Sequence, residues 1–164
     1  MKSKHIDNIS KLSDLVFNLT MKCEEKEQII AQQNNLTRTE FRCLRIIFKA
    51  LTVEKLNINN KDISDIMKLT PSRLTRIIDG LVNKNYLLRE IDKSDRRNIR
   101  FSLTNYGLEK STLANQEFLD IHEQILNEVD PEMHSILVSG MEHFFAAVKK
   151  VIDNQIAQLS KTNP

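Results

Sequence analysis

Glycine and proline are scarce here, three of each in 164 residues, and only Pro71 and Pro131 are internal. With so few breakers, long helices are the expected element. Three glycines are also too few for the usual phosphate-cradling loops. No nucleophile elbow, zinc-protease helix or pair of placed carboxylates with a base occurs either, so an enzyme is not expected. Cysteine is rarer still, and Cys23 and Cys43 make no disulfide framework. No apolar run approaches the roughly 18 residues needed to span a bilayer. The opening "MKSKHIDNIS" has lysine but no apolar core behind it, unlike a secretory signal. The expectation is a cytoplasmic protein with no membrane partner. The four histidines are scattered without an i, i+4 pair, so neither a metal nor a cofactor is expected.

What is present is ordinary in amount and uneven in placement. Hydrophobic residues make up 40% and charged residues 28%, with a net charge of +2. From Lys61 to Leu103, ten Lys/Arg stand against six Asp/Glu, whereas the rest of the chain carries fourteen against sixteen. A basic middle between slightly acidic ends favours a polyanionic partner for that middle.

The apolar periodicity gives the framework. Ile9, Leu12, Val16, Leu19, Cys23 and Ile30 repeat at coiled-coil-like spacing, predicting a helix over about 5–32 whose seam needs a partner helix. Thr37 and Glu40 fit a capping box, and Leu36 with Phe41 a hydrophobic staple, at the start of a second helix with Phe41, Leu44, Phe48 and Leu51 as its stripe. "VEKLNINN" reads as a loop with a short extended piece at Ile58. Two short helices follow. One runs from Lys61 to about Lys68 with Ile63, Ile66 and Met67 inward. The next is capped by Thr70, has Pro71 at its first position, and buries Leu74, Ile77, Ile78, Leu81 and Val82. "YLLREID" and "NIRFSLT" are candidate strands joined by "KSDRR". A helix-turn-helix followed by a hairpin is a winged helix. Thr104 caps a fifth helix to about Glu128. Asp130–Pro131–Glu132 starts a sixth, with Leu137, Met141, Phe144, Val148, Val151 and Leu159 along one side.

Two surfaces carry recognition chemistry. The helix after Pro71 leaves Ser72, Arg73, Thr75, Arg76 and Asp79 outside its apolar stripe. Short hydroxyls permit close approach to a groove, and arginine grips guanine or phosphate bidentately. "DKSDRRNIRFSLT" (92–104) crowds Lys93, Arg96, Arg97 and Arg100 into nine residues at a hairpin tip. There Asp95 is placed to hold the turn and Arg100 to reach a phosphate.

"LTRTEFRCLRII", "TPSRLTRIIDGL" and "DKSDRRNIRFSLT", with the two flanking seams, resemble the MarR family of transcriptional regulators, the wing being of the SlyA-like kind. The resemblance implies a mainly α fold with a small β wing, a winged helix-turn-helix with long N- and C-terminal dimerisation helices. The domains expected are residues 1–35 and 105–164 for dimerisation and 36–104 for DNA binding. It also implies an obligate homodimer on double-stranded DNA with a pseudo-palindromic operator. By position, Pro71, Ser72, Thr75 and Arg76 become recognition-helix contacts, Asp95 and Arg96 the pair that shapes the wing, and Arg97 its minor-groove tip. Gly80 departs from the family pattern, which has a larger residue there, and points to close packing under that helix.

Sensing is less legible. Cys23 lies mid-helix, unlike the reactive cysteine of the peroxide-sensing branch, and both cysteines read as small hydrophobes. A small effector, often an aromatic anion, is the remaining mode. Phe17, Met21, Phe41 and Phe48 are candidate lining, and no effector site is assigned. The expected function is a homodimeric sequence-specific DNA-binding regulator, a repressor rather than an activator, released by a small ligand. The alternative is a winged-helix protein-interaction module that never reads DNA.

Overall fold

The computed structural model describes residues 2–91 and 99–162. The elements run α1 (Lys2–Gln33), α2 (Arg38–Phe48), α3 (Asn60–Met67), α4 (Pro71–Asn83), β1 (Leu87–Ile91), β2 (Ile99–Leu103), α5 (Asn105–Asn127) and α6 (His134–Thr162). They form two compact units, residues 1–118 and 119–164. The fold is mainly α with one two-stranded antiparallel sheet, a winged helix-turn-helix.

In the first unit the core is built where the C-terminal end of α1 meets α2, α4 and the wing. Ile30, Ala31, Leu36, Phe41, Leu44, Ile47, Ile63, Ile78 and Leu81 are all buried. Each large aliphatic chain among them stabilises by roughly 1.5–3 kcal/mol relative to exposure. The capping box at α2 forms as expected: Thr37 Oγ1 accepts from Glu40 N, and Glu40 Oε2 accepts from Thr37 N at 2.7 Å. Leu36 and Phe41 are both buried beside it. A second box, Asn59 with Asp62, opens α3.

Scarcity of glycine shows in how helices end. Asn35 after α1 and Asn85 after α4 take the left-handed conformation (φ 51 and 62), a role that glycine usually fills and asparagine tolerates. Between α3 and α4 the left-handed residue is Lys68 (φ 53). The tight turn of the helix-turn-helix therefore rests on a strained lysine, at a cost of about 1–2 kcal/mol.

Several expectations are corrected. α2 reaches the expected loop through a π-helical turn over Lys49–Val53 rather than as a regular α-helix, with Thr52 Oγ1 donating to Phe48 O. Ile58 is buried, yet it joins no strand among the described residues. Ile66 is 58% exposed rather than inward, because the eight-residue α3 has room for only one fully buried position, Ile63.

The hairpin pairs Leu87 with Leu103, Arg89 with Phe101 and Glu90 with Arg100. Alternation sends Phe101 into the core and Arg100 outward, as the pleat requires. α5 then docks its first turn on the chain leading into β1. Thr104 Oγ1 donates to Asn85 O (2.5 Å) and accepts from Gly107 N (2.7 Å). Farther along α5, Phe118 takes the cations of Lys26 and Arg45 over its ring at 4.2 and 3.5 Å. In the second unit, Asp130 caps the 3-10 turn Pro131–Met133 that leads into α6. Among the described residues no helix is long and apolar enough to cross a membrane.

Candidate nucleic-acid interface

α4 is amphipathic along its whole length. Leu74, Ile77, Ile78 and Leu81 are buried, while Pro71, Ser72, Arg73, Thr75 and Arg76 are exposed. Pro71 starts the helix at its first position, where a missing N–H leaves nothing unpaired. Thr70 has the extended backbone of an N-cap, but its side chain caps nothing. Its Oγ1 sits 3.4 Å from Ser72 Oγ instead. Thr75 Oγ1 donates inward to Pro71 O at 2.9 Å, which leaves its oxygen lone pairs facing out. Arg76 forms no ion pair among the described residues. The opening two turns of α4 therefore present hydroxyls and two guanidiniums on a convex surface.

Beneath that surface lies an anchor that sequence reasoning did not foresee. Glu40 Oε2 accepts from Lys84 Nζ at 2.8 Å as well as from Thr37 N, joining the start of α2 to the end of α4. Burial works against the Glu40 charge, but hydrogen bonds from Lys84 and Thr37 outweigh it and hold the carboxyl below the ordinary glutamate value. A Cβ at position 80 would collide with Glu40 Oε1. Gly80 is there because the buried carboxylate needs the space.

A second connection, also unforeseen, ties α4 to the wing. Arg89 on β1 pairs with Asp79 at 2.6 Å and reaches Thr75 O at 3.5 Å. Asp79 is thereby engaged with the first strand of the wing. The partners lie on different elements ten residues apart, so no helical or strand period links them.

Arg100 is exposed on β2, opposite Glu90. Lys93, Asp95, Arg96 and Arg97 lie outside the described residues. The structure thus brings together Pro71, Ser72, Arg73, Thr75 and Arg76 on one helix face and places Arg100 on the adjoining hairpin.

The four apolar residues considered for an effector site, Phe17, Met21, Phe41 and Phe48, do not converge. Phe41 and Phe48 are core, whereas Phe17 is 66% and Met21 45% exposed. Cys43 is buried, and desolvation with the Glu40 charge nearby pushes its thiol up to about 12, which keeps it protonated. Cys23 is exposed on α1. Among the described residues no three or more His, Cys, Asp or Glu side chains gather as metal ligands would.

Comparison with known proteins agrees with this architecture. Residues 36–99 match the MarR family model. The HTH-type transcriptional regulator SarZ of Staphylococcus epidermidis is 31% identical over 93 residues, 56% of this chain and 59% of its own length. The match therefore spans about three-fifths of that curated relative. Among solved structures, Streptococcus pneumoniae FabT in complex with DNA superposes with a TM-score of 0.70 at 19% identity, covering 88% of this chain and 98% of that one. A MarR transcriptional regulator from Methanosarcina mazei Go1 gives 0.68 at 19% identity, covering 87% and 99%. The S. aureus MepR–DNA complex gives 0.68 at 14% identity, covering 84% and 97%. The capped α2, the helix-turn-helix and the start of the wing form a winged helix-turn-helix, and they are the part of the chain, residues 36–99, that matches the MarR family model.

Proposed function

We propose that the chain is a homodimeric, sequence-specific DNA-binding transcriptional regulator, and a repressor rather than an activator. The observation that carries the reading is the exposed face of α4. Ser72, Arg73, Thr75 and Arg76 stand out over a fully buried stripe at the end of a recognition helix that meets base edges in such folds. The relatives support it: SarZ is described as a transcriptional regulator, and FabT and MepR have been solved with DNA. In this reading α4 lies in the major groove, with Arg76 reading a base, Pro71, Ser72 and Thr75 in close contact, and Arg73 near the backbone. Arg100 and Lys93 hold phosphates, Asp95 and Arg96 shape the wing, and Arg97 enters the minor groove.

Dimerisation is part of the same proposal. Ile9, Leu12 and Leu19 on α1, and Met141, Val151 and Leu159 on α6, are each more than a third exposed in the single chain. Apolar stripes of this length ask for a cover, and a second copy supplies the two-fold symmetry that a pseudo-palindromic site requires.

Selection of bound sequences from a random duplex pool by the full chain tests the reading. The expected product is an inverted repeat with half-sites about one helical turn, roughly 10 bp, apart. A folded chain that enriches no sequence would favour a winged helix that binds protein instead.

A further inference from the structure

A cleft of about 590 Å³ opens where α2, the end of α3 and the first turn of α4 meet Glu27 of α1. Its walls combine two chemistries. Ile46, Met67 and Leu69 offer apolar surface. Five cations also line it: Arg38, Arg42 and Arg45 on α2, Lys49 at the start of the π-helical turn, and Arg73 on α4.

The ion pairs sort those cations. Arg38 is held by Glu24 at 2.8 Å, Arg42 by Glu27 at 2.5 Å and Lys49 by Glu54 at 3.2 Å. Arg45 and Arg73 have no carboxylate within ion-pair distance among the described residues. Arg45 is half-buried over the Phe118 ring, and desolvation lowers its pKa from the ordinary value against a smaller opposing effect of the Glu27 charge. A guanidinium kept half out of water is a strong anion donor, because little hydration is left to displace. Glu27, the one carboxylate lining the cleft, is already engaged.

We propose that this cleft binds a phosphorylated organic molecule of nucleotide size. Arg45 and Arg73 hold its phosphate groups, and Ile46, Met67 and Leu69 cover its planar or apolar body. Two guanidiniums outside any ion pair among the described residues match a dianionic phosphate or a diphosphate better than a single carboxylate. The volume lies within the range for small-molecule sites, and it exceeds what a lone phosphate fills. Arg73 also belongs to the exposed opening of α4, so an occupied cleft removes a cation from the proposed DNA surface. This regulatory consequence rests on the DNA-binding reading, whereas the binding site does not.

The test is calorimetric titration of the full chain with ADP, with inorganic pyrophosphate and with adenosine, in the absence of DNA. ADP is expected to bind at least tenfold more tightly than either half. Arg73→Met is expected to weaken ADP at least tenfold. Arg45→Met, which retains an apolar stem against Phe118, is expected to do the same. Pyrophosphate binding as tightly as ADP would overturn the proposal and make the cleft a phosphate seat for DNA. Unchanged ADP affinity in both variants, or no ADP binding by the folded wild type, would also overturn it. A second arm follows a fluorescent operator duplex. Release by ADP from the wild type but not from Arg45→Met supports the regulatory consequence. Bound ADP with no release removes that consequence and leaves the site. A chain that never binds duplex refutes the DNA reading by itself.

Discussion

Gly107 shows how much one hydrogen atom in place of a side chain decides. It lies buried in the first turn of α5, and a Cβ there would overlap the carbonyl oxygen of Tyr86. That carbonyl belongs to the backbone leading into β1, so it cannot swing aside as a side chain would. Gly107→Ala is expected to destabilise the chain by about 3 kcal/mol despite alanine's better helix propensity. Chemical denaturation measures this, and a change below about 1 kcal/mol would show that α5 can shift on the wing. On the proposed DNA surface, residues divide by the kind of contact they make. Arg76→Ala is expected to relax base preference at one position of each half-site, at roughly 1–3 kcal/mol. Arg100→Ala is expected to weaken all duplexes alike and flatten the salt dependence by about one unit of slope. Binding across a panel of single-base operator variants at several salt concentrations separates the two. Identical behaviour of both variants would remove direct readout from α4.

Between elements, the Asp79–Arg89 pair fixes geometry more than it stabilises. The two side chains are 46% and 32% exposed, and pairs of this kind contribute about 0–1 kcal/mol. Yet the pair is a direct tie between α4, the proposed recognition helix, and β1, the first strand of the wing. Arg89→Ala is expected to leave the denaturation midpoint nearly unchanged while operator affinity falls about fivefold or more. The swapped pair Asp79→Arg with Arg89→Asp is expected to recover most of it. A swap that binds no better than Arg89→Ala would mean that Arg89 acts on DNA directly. Sequence reasoning found each helix here because capping and periodicity are local: Thr37 with Glu40, Pro71 before Leu74, and Thr104 at the start of the fifth helix. It missed the π-helical turn at Lys49–Val53 because nothing in the "KALTV" composition distinguishes a wide turn from an ordinary one. It placed Ile66 inward because a three-residue period cannot say how many neighbours a short helix has.

For the whole molecule, the uncovered stripes on α1 and α6 predict an obligate dimer. Truncation before Lys11 or after Val148 is expected to cost folded protein, because the shortened stripes no longer bury against a partner. Sedimentation of the full chain is expected to show a dimer at micromolar concentration. A well-folded monomer there would overturn the proposed assembly. The two cysteines give an independent readout. Cys23 lies on the α1 seam and is exposed in the single chain, whereas Cys43 is buried within it. Thiol labelling of Cys23 is expected to be slow in the dimer and to accelerate on dilution. Cys43 is expected to stay unlabelled until the chain unfolds, since its thiol is both enclosed and protonated.

The sequence by itself determined what depends on neighbours along the chain. It determined the helices, their caps, the hairpin with Arg100 outward, and the helix-turn-helix with its Ser/Thr/Arg face, because hydrophobic period and capping act within a few residues. Even the oddity of Gly80 was visible as a departure. Only the tertiary structure decided why it is glycine, since the Glu40 carboxylate that needs the space arrives from forty residues away. The tie from Arg89 to Asp79, the double cation contact on Phe118 and the cleft that gathers Arg45 and Arg73 belong to the same class. Each joins side chains from separate elements, and their meeting is set by how those elements pack and by no spacing along the chain.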